Sequence, residues 1–221
     1  LGTVLMTFTA IILAVPAGLM GGVYLSEYGR SGKFGNLIRF SSNVMMGVPS
    51  IIIGLFVYTL LVYTTGNYSG FSGAVALAII MFPIVLRTTE DMLCMVPNAL
   101  REAALALGTP RWKVTLQILF RSARNGLITG ILLAIARVSG ETAPLLFTAM
   151  NSTYWPAEPW WKLWHFFTGP TANLTVTIND YAMSAYEGFN RIAWGASFLI
   201  TAGVLALNIS ARFIFSEVEK N

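Results

Sequence analysis

The chain has 221 residues, of which 55% are hydrophobic and only 11% are charged, and its formal net charge is +4. Because a soluble domain carries roughly 25% charged residues, this composition excludes a soluble protein and predicts an integral membrane protein. Its positive residues cluster in a few loops, so the basic balance indicates membrane topology rather than nucleic-acid binding.

Five apolar stretches are each long enough to cross a bilayer, which takes about 20 helical residues. Breakers interrupt three of them: Pro16 in the first, Gly47-Val48-Pro49 at the start of the second and Pro83 in the third. The first stretch already begins at Leu1, without an initiator methionine, so we expect a fragment that lacks its natural N-terminus. The sequence therefore predicts an all-α membrane protein, a polytopic transmembrane helix bundle with five spans in this fragment. The predicted spans are residues 1–25, 44–63, 71–90, 126–150 and 191–215.

The loops between these spans differ sharply in positive charge. Residues 26–40, the segment 87–126 and the tail with Arg212 hold nearly all of the Lys and Arg residues, whereas 64–72 holds none and 151–190 a single one. Lys and Arg are enriched in cytoplasmic loops. We therefore predict a multi-pass protein of the cell membrane whose basic loops and C-terminus are cytoplasmic.

Within residues 87–126, called the basic segment below, the sequence predicts two short helices joined by a tight bend. In the first, Asn98 is expected to cap the start, Glu102 to lie near the positive helix end and Gly108 to take the C′ position. The second is expected to begin at once, with Thr109-Pro110 supplying a cap followed by a proline at the first helical position. A helical hairpin between two spans has a suitable shape for contact with a soluble partner.

The long loop 151–190 is polar and rich in aromatic residues. Because such side chains concentrate at membrane interfaces, one expectation is a short amphipathic helix at the outer surface. A docking platform for an extracytoplasmic binding protein is the other expectation, and the two are compatible. His165, the single histidine, is expected to be interfacial. The aromatic residues include Trp155, Trp160, Trp161, Trp164, Phe166 and Phe167.

No motif in the sequence indicates bond-making chemistry. The Gly-x-x-x-x-Gly-Lys-Ser/Thr phosphate loop and the His-Glu-x-x-His metal motif are both absent. Cys94 is the single cysteine, which excludes an internal disulfide and a paired-cysteine metal site. We therefore predict a protein that is not an enzyme, needs no cofactor or metal, and does not itself bind ATP.

Two charged residues lie inside the fourth apolar stretch. Arg137 and Glu141 are four residues apart, which places them on one face of a continuous helix. An unpaired Arg at membrane depth costs roughly 2.5–3.5 kcal/mol on insertion scales, so such residues mark a substrate path or an interior pair. We expect Arg137 and Glu141 to lie on a substrate path. The alternative is a structural ion pair that joins the fourth helix to its neighbours.

Glu102-Ala103-Ala104, followed after three residues by Gly108, is similar to the EAA loop of ABC-importer permeases. Further blocks, including residues 47–51, 83–90 and 136–148, occur in the order found in the A-type permease subunit of phosphate importers, which the chain resembles over nearly its whole length. One position departs from that pattern. The family usually has Ile-x-Leu-Pro near the end of the loop, and Arg121 stands where the proline is expected.

This resemblance implies an ABC importer permease core of the MetI-like superfamily, in the inner cell membrane. It implies the transmembrane permease subunit of an ATP-driven phosphate importer, working by alternating access. The implied partners are a second permease subunit in a heterodimer, cytoplasmic ATP-binding subunits, an extracytoplasmic phosphate-binding protein, phosphate and membrane lipid, with no nucleic acid. Within the coupling loop 94–124, the residues implied to contact the ATPase are Glu102, Ala103, Ala104, Gly108 and Arg111.

Other functions fit parts of the sequence. A related ABC importer for another substrate, such as sulfate, molybdate or an amino acid, would share the basic segment. A channel or ion-coupled transporter would need no ATPase, and association with an ATPase would separate it from an importer. A purely structural membrane subunit would tolerate loss of the charges in the fourth span.

Overall fold

A computed structural model describes residues 1–152 and 164–217, and every regular element within these ranges is a helix. This confirms the all-α prediction. In chain order the helices are α1 (Gly2–Glu27), α2 (Lys33–Gly47), α3 (Ser50–Thr65), α4 (Gly70–Cys94), α5 (Asn98–Ala106), α6 (Arg111–Ser139), α7 (Ala143–Thr148), α8 (Trp164–Thr168), α9 (Leu174–Ala182) and α10 (Glu187–Glu217).

Helix α4 forms the centre of the fold, since 67% of its most apolar stretch is buried, against 22% for α1 and 28% for α6. Both neighbours approach it through glycines. A Cβ atom on Gly18 would lie 2.8 Å from the Val85 side chain, and one on Gly130 would collide with Thr88. Small residues let helix backbones approach closely in membranes. Gly22 of α1 and Gly126 of α6 make the same kind of contact.

Two apolar clusters fill the interior. The larger one lies between α1, α4, α6 and α7 and includes Met6, Leu77 and Leu145. The smaller one lies at the end of the fold that carries the basic segment, where Ala104 and Leu119 pack against the end of α4. The basic segment is therefore packed onto the bundle and is not a free loop.

Within the described residues, α1, α4, α6 and part of α10 are long and apolar enough to span a membrane. Helices α2 and α3 add a fifth span if they are counted as one, but they meet at an angle of 103°. The bend follows from Pro49, which disfavours helical geometry at Val48, and Val48 is indeed extended with ψ 130°. The second span predicted over 44–63 therefore begins in the last turn of α2 and is broken at Val48-Pro49, and its membrane crossing stays a prediction. Helix α2 already begins at Lys33, inside the segment expected to be a loop.

The fourth span also differs from the predicted range 126–150. Helix α6 begins at Arg111 and continues without a break through Arg121, with a π-helical turn at Val114–Leu119. A proline at position 121 would remove a backbone donor and obstruct the preceding turn, whereas arginine does neither. The helix ends at Ser139, well before residue 150, and α7 follows after a short break.

A buried carboxylate joins three helices at the end of the bundle that carries the basic segment. Glu90 of α4 accepts hydrogen bonds from Arg39 Nε of α2 and from Arg87 Nη1, each at 2.6 Å. Arg39 also donates to the carbonyl oxygen of Leu25 in α1 at 3.3 Å. Because Glu90 is the shared acceptor, its charge balances two guanidinium groups and fixes α2 against α4.

Replacing Glu90 with glutamine is expected to lower the stability of the folded protein by about 3 kcal/mol, because it leaves two partly buried cations without their shared anion. Thermal unfolding of the detergent-purified protein measures the loss. Asp91→Asn is the matched control, since the Asp91 side chain is 58% exposed, against 6% for Glu90, and lies 4.0 Å from Arg87. Equal melting temperatures for both variants would contradict the assigned role of Glu90.

Candidate functional site

Arg137 lies in the last turn of α6, and its side chain points away from the bundle. The side chain is 56% exposed, and its Nε atom lies 3.8 Å from Oε1 of Glu141, whose side chain is 16% exposed. This separation is an ion-pair contact, too long for a hydrogen bond. The structure therefore brings the two predicted residues together, with the cation open and the anion largely covered.

Glu141 does not lie on the same helix as Arg137, so that part of the prediction is wrong. The chain leaves the helix at Gly140, and the Glu141 amide donates to the Val138 carbonyl at 3.2 Å, closing a turn. The Glu141 carbonyl accepts a hydrogen bond from Thr175 Oγ1 of α9 at 3.1 Å. The break between α6 and α7 and the contact with α9 therefore fix the position of Glu141.

Helices α3 and α7 meet beside this break. A Cβ atom on Gly54 of α3 would lie 2.6 Å from the Cα atom of Pro144, which begins the α7 region just after Glu141. Both helices follow a break in the chain. Such discontinuous helices line substrate sites in several transporter folds. Sequence analysis did not select Gly54, although its position in an apolar run was a weak signal for close backbone contact.

On α6, the face that carries Arg137 is exposed along several turns. Thr129 and Leu133 precede Arg137 at intervals of four residues, and all three are exposed in the described chain. The adjoining face, with Ala134 and Val138, is buried against the core. A charged, exposed residue at the end of an otherwise apolar helix is costly in contact with lipid, so this face requires water or another protein beside it.

Helix α5 holds the predicted coupling residues at the other end of the bundle. Pro97 is its N-cap residue, without a side-chain cap, so the predicted capping role of Asn98 is wrong. Asn98 is instead the first helical residue, and its Oδ1 accepts from Arg101 Nη1 at 3.0 Å and from Arg30 Nη1 at 3.4 Å. Its side chain is therefore occupied by tertiary contacts and does not face the helix end.

Gly108 occupies the predicted C′ position, with φ of +76°. Its amide donates to the Leu105 carbonyl at 2.9 Å, and the Thr109 amide donates to the Ala104 carbonyl at 3.3 Å. This pair of bonds is the Schellman motif that ends many helices. The prediction for the next helix is wrong by one residue, because Pro110 is the extended N-cap residue and Arg111 is the first helical residue.

The α5–α6 hairpin exposes an apolar tip. Leu107 is 86% exposed and Trp112 is 59% exposed. Among the predicted coupling residues, Ala104 is buried against the smaller cluster and cannot contact a partner directly. The remaining four, Glu102, Ala103, Gly108 and Arg111, are exposed and surround the tip.

Arg101 anchors α5 to the bundle, and sequence analysis did not select it. Its guanidinium donates to the carbonyl oxygens of Leu93 at 2.6 Å and Val96 at 2.8 Å. It also forms an ion pair with Glu27 at the end of α1, with 3.1 Å between Nη2 and Oε1. One side chain thus ties α5 to the end of α4, through nearby carbonyls, and to α1, through Glu27, which is remote in sequence and gave no local signal.

The aromatic surface predicted for residues 151–190 lies at the end of the bundle opposite the basic segment. The described residues include part of it. Phe166 of α8 is buried and packs against Gly70 at the start of α4, so it belongs to the core and not to an interfacial belt. Phe167 is exposed and contacts Phe71, with 5.6 Å between ring centroids. Trp155, Trp160 and Trp161 lie outside the described residues, as do the side chains of Trp164 and His165.

The match of residues 14–220 to the family model of the binding-protein-dependent transport system inner membrane component decides the identity of the chain. The chain belongs to this family. Members are membrane components of transport systems, which agrees with the absence of a catalytic motif from the sequence. The α5–α6 hairpin, Arg137 and Glu141 all lie inside the matched range.

Relatives within the family match nearly the whole length of the chain. The phosphate transport system permease protein PstA of Pasteurella multocida is 46% identical over 220 residues, which cover 100% of this chain and 76% of that protein. The phosphate transport system permease protein PstA 1 of Mycobacterium tuberculosis is 40% identical over 215 residues, which cover 96% of this chain and 67% of that protein.

Solved permease structures have the same fold at low sequence identity. The MetNI methionine ABC transporter, in an inward-facing conformation, superposes with a TM-score of 0.64 at 16% identity, covering 95% of this chain and 91% of that chain. An amino acid ABC transporter crystallised with histidines gives 0.62 at 17% identity, covering 99% and 89%. These comparisons confirm the fold predicted for an ABC importer permease.

Proposed function

We propose that this family member is a transmembrane permease subunit of an ATP-driven phosphate importer. The observation that carries the proposal is 46% identity over the full chain to a protein named as a phosphate transport permease. The geometry agrees with transport, since an exposed guanidinium lies beside a break in the helices. In this function the chain forms part of the translocation path and transmits movement from an ATPase.

The proposed substrate path runs along the exposed face of α6 that carries Arg137. Phosphate is a multivalent oxyanion and needs a replacement for its hydration when it crosses a low-dielectric region. Arg supplies planar, paired donors that stay charged at any relevant pH. Because Arg137 is open while Glu141 is mostly covered, an entering anion meets the cation first, and Glu141 holds Arg137 when the path is empty.

A second permease subunit is proposed to face Arg137. The exposed face of α6 would otherwise place a charged side chain against lipid, which costs roughly 2.5–3.5 kcal/mol on insertion scales. A path between two permeases supplies water and further polar groups on that side. An extracytoplasmic phosphate-binding protein delivers the substrate in this arrangement, and the N- and C-terminal ends of the chain face outside and inside respectively.

The α5–α6 hairpin is proposed as the contact with a cytoplasmic ATP-binding subunit. Its tip presents the apolar side chains Leu107 and Trp112, surrounded by the exposed residues Glu102, Ala103 and Arg111. An apolar centre with a polar rim is the common anatomy of protein interfaces. Arg101 connects this contact to α1 and α4, so movement of the hairpin is passed directly to the spans.

Uptake of labelled phosphate into vesicles that contain the complete transporter tests the function. Uptake should require ATP and the binding protein, and an excess of sulfate should leave it unchanged. Inhibition by sulfate as strong as that by unlabelled phosphate would indicate the alternative anion importer. Uptake without any ATP-binding subunit would indicate a channel or ion-coupled transporter.

Membrane topology gives a separate test of the orientation. Cysteines introduced at Ser31 and Ser122, in an otherwise cysteine-free protein, should react with an impermeant thiol reagent only from the cytoplasmic side. A cysteine at Ser152 should react only from outside, because basic loops remain cytoplasmic. Reaction of position 122 from outside would reverse the orientation and remove the basis for ATPase contact at the hairpin.

Replacing Gly108 with valine is expected to weaken binding of the ATP-binding subunit. A β-branched residue at φ +76° costs about 1–3 kcal/mol, and the strain acts on the turn that shapes the hairpin tip. Co-purification of the ATPase with the permease measures the effect. Gly32→Val is the matched control, because Gly32 has φ of −83° and open space around it, as Gly108 does. An intact Gly108→Val complex would argue against the hairpin as the docking element.

A further inference from the structure

The start of helix α9 contacts both ends of the segment that contains α7. Thr175 Oγ1 donates to the Glu141 carbonyl oxygen, just before α7, at 3.1 Å. Asn173 Nδ2 donates to the Met150 carbonyl oxygen, just after α7, at 3.2 Å. Both donor residues are buried. We call Asn173 and Thr175 the α9 clamp, since they bond to both flanks of the short helix that follows Arg137.

The two clamp residues also contact each other. Asn173 Oδ1 accepts from the Val176 amide at 2.8 Å, as the N-cap of α9, and lies 3.2 Å from Thr175 Oγ1. The Thr175 hydroxyl thus shares its one hydrogen between Asn173 and the Glu141 carbonyl. At the other flank Met150 has φ of +53°, which is uncommon for a residue other than glycine. Such a conformation persists only where its surroundings fix it, so the clamp helps to set the path of the chain around α7.

The Glu141 carboxylate does not reach a hydrogen bond with Arg137. The 3.8 Å between its Oε1 and Arg137 Nε is about 1 Å longer than a charge-assisted N–H···O bond. Two backbone groups of Glu141 are bonded, its amide to the Val138 carbonyl and its carbonyl to Thr175. The backbone from which the carboxylate extends is therefore fixed. Among the described residues, the Arg137 guanidinium has no other anionic partner and keeps its donors for an incoming acceptor.

We propose that the α9 clamp is a positioning element of the substrate path, which holds Glu141 back from Arg137 and so keeps the guanidinium available to phosphate. The inference rests on the proposed transport function and adds Asn173 and Thr175, which act through Glu141 and not by contact with the substrate. Without the clamp the carboxylate is free to close on Arg137 in a hydrogen-bonded ion pair. That pair competes with phosphate for the same donors.

Replacing Thr175 with valine tests the clamp, since valine keeps the shape of the side chain and removes the hydroxyl donor. With saturating phosphate-loaded binding protein, uptake per assembled complex should fall about three- to tenfold, the range of one net hydrogen bond. ATP hydrolysis should continue, so the ratio of ATP hydrolysed to phosphate transported rises. Thr175→Ser restores the hydroxyl and should recover uptake. Thr177→Val is the matched control, because Thr177 Oγ1 bonds within α9 to the Asn173 carbonyl at 2.7 Å.

A double-mutant cycle separates this positioning role from a general effect on folding. Glu141→Gln removes the competing charge, so adding Thr175→Val to that variant should lower uptake by less than about twofold further. Losses that multiply in full would show that Thr175 supports the fold and does not act through Glu141. Thr175→Ala, which cannot overfill the site, takes the place of the valine variant if the latter does not assemble.

The parent transporter distinguishes failure of the clamp from failure of the proposed function. Parent uptake that sulfate inhibits as strongly as phosphate does would contradict the proposed substrate. Parental phosphate uptake together with an assembled Thr175→Val complex that behaves like Thr177→Val would overturn the clamp alone. Hydrogen–deuterium exchange of the purified complex needs no transport: residues 141–150 should exchange faster in Thr175→Val than in the parent. Equal exchange in the two proteins would remove the clamp whatever the substrate.

Discussion

Replacing Arg137 with glutamine is expected to abolish phosphate uptake by the assembled transporter while membrane insertion, pairing with the second permease and ATPase binding survive. Each charge-assisted hydrogen bond contributes about 1.5–3 kcal/mol, so loss of a bidentate pair predicts at least a 100-fold decrease, about 1.4 kcal/mol being a factor of ten. Insertion should survive because the side chain is 56% exposed and its replacement is uncharged.

The conservative variant separates a path residue from a structural ion pair. Lysine preserves the charge but not the planar pair of donors, so Arg137→Lys should remain severely impaired if the guanidinium binds phosphate. Glu141→Gln should be milder or should uncouple ATP hydrolysis from uptake. Arg191→Gln is the charge-matched control, since Arg191 lies at an exposed position in α10. If an assembled Arg137→Gln transporter took up phosphate at the parent rate, Arg137 would have no role in the substrate path. A structural ion pair with Glu141 would then be its remaining role.

Replacing Arg101 with methionine is expected to reduce uptake at least about tenfold while ATP hydrolysis by the assembled complex continues. The change removes the donors to the Leu93 and Val96 carbonyls and leaves Glu27 without its partner. Breaking a buried ion pair by removing one partner costs about 3–5 kcal/mol, enough to free α5 from the bundle. The exposed docking surface is untouched, so the ATPase still binds but its movement is no longer transmitted.

The ratio of ATP hydrolysed to phosphate transported is the decisive measurement for Arg101. Glu27→Gln should raise this ratio less than Arg101→Met, because the two backbone contacts of Arg101 remain. Arg30→Gln serves as the control, because within the described residues Arg30 contacts α5 through one 3.4 Å hydrogen bond to Asn98. If Arg101→Met left the ratio unchanged and lowered only the amount of assembled complex, Arg101 would have a role in folding alone.

Local features of this fold could be predicted from the sequence. Gly108 carries its own signal, because a glycine directly after a short helical run is the usual residue at φ > 0. Apolar length identified α1, α4 and α10 within a few residues, although the membrane crossings themselves stay a prediction. The proposed coupling surface and the proposed role of Arg137 rest on charge and motif spacing, which are local properties, and both roles stay predictions.

The remaining features depend on contacts between distant parts of the chain. Arg101 is one of several arginines in the basic segment, and its role follows only from the position of Glu27, 74 residues away. The end of α6 at Ser139 was missed, although Gly140 and Pro144 follow it, because the apolar residues after Pro144 extend the hydrophobic stretch to Met150. A hydropathy pattern does not reveal this break between α6 and α7, because a hydrogen bond from Thr175 of α9 to the Glu141 carbonyl stabilises it.

The backbone contacts of α1, α4 and α6 have a mechanical consequence. Where Gly18 and Gly130 pack on Val85 and Thr88 of α4, the side chains between the helices are short and β-branched, and their restricted rotamers absorb little displacement. The three helices, with α5 fixed to them by Arg101, therefore behave as one lever about 37 Å long for the 25 residues of α4. A tilt of about 10° moves its far end by about 6 Å over that length. Arg137 belongs to this lever, whereas the carbonyl of Glu141 is held by Thr175 of α9, so we expect a push on the hairpin tip to change the gap between the two charges.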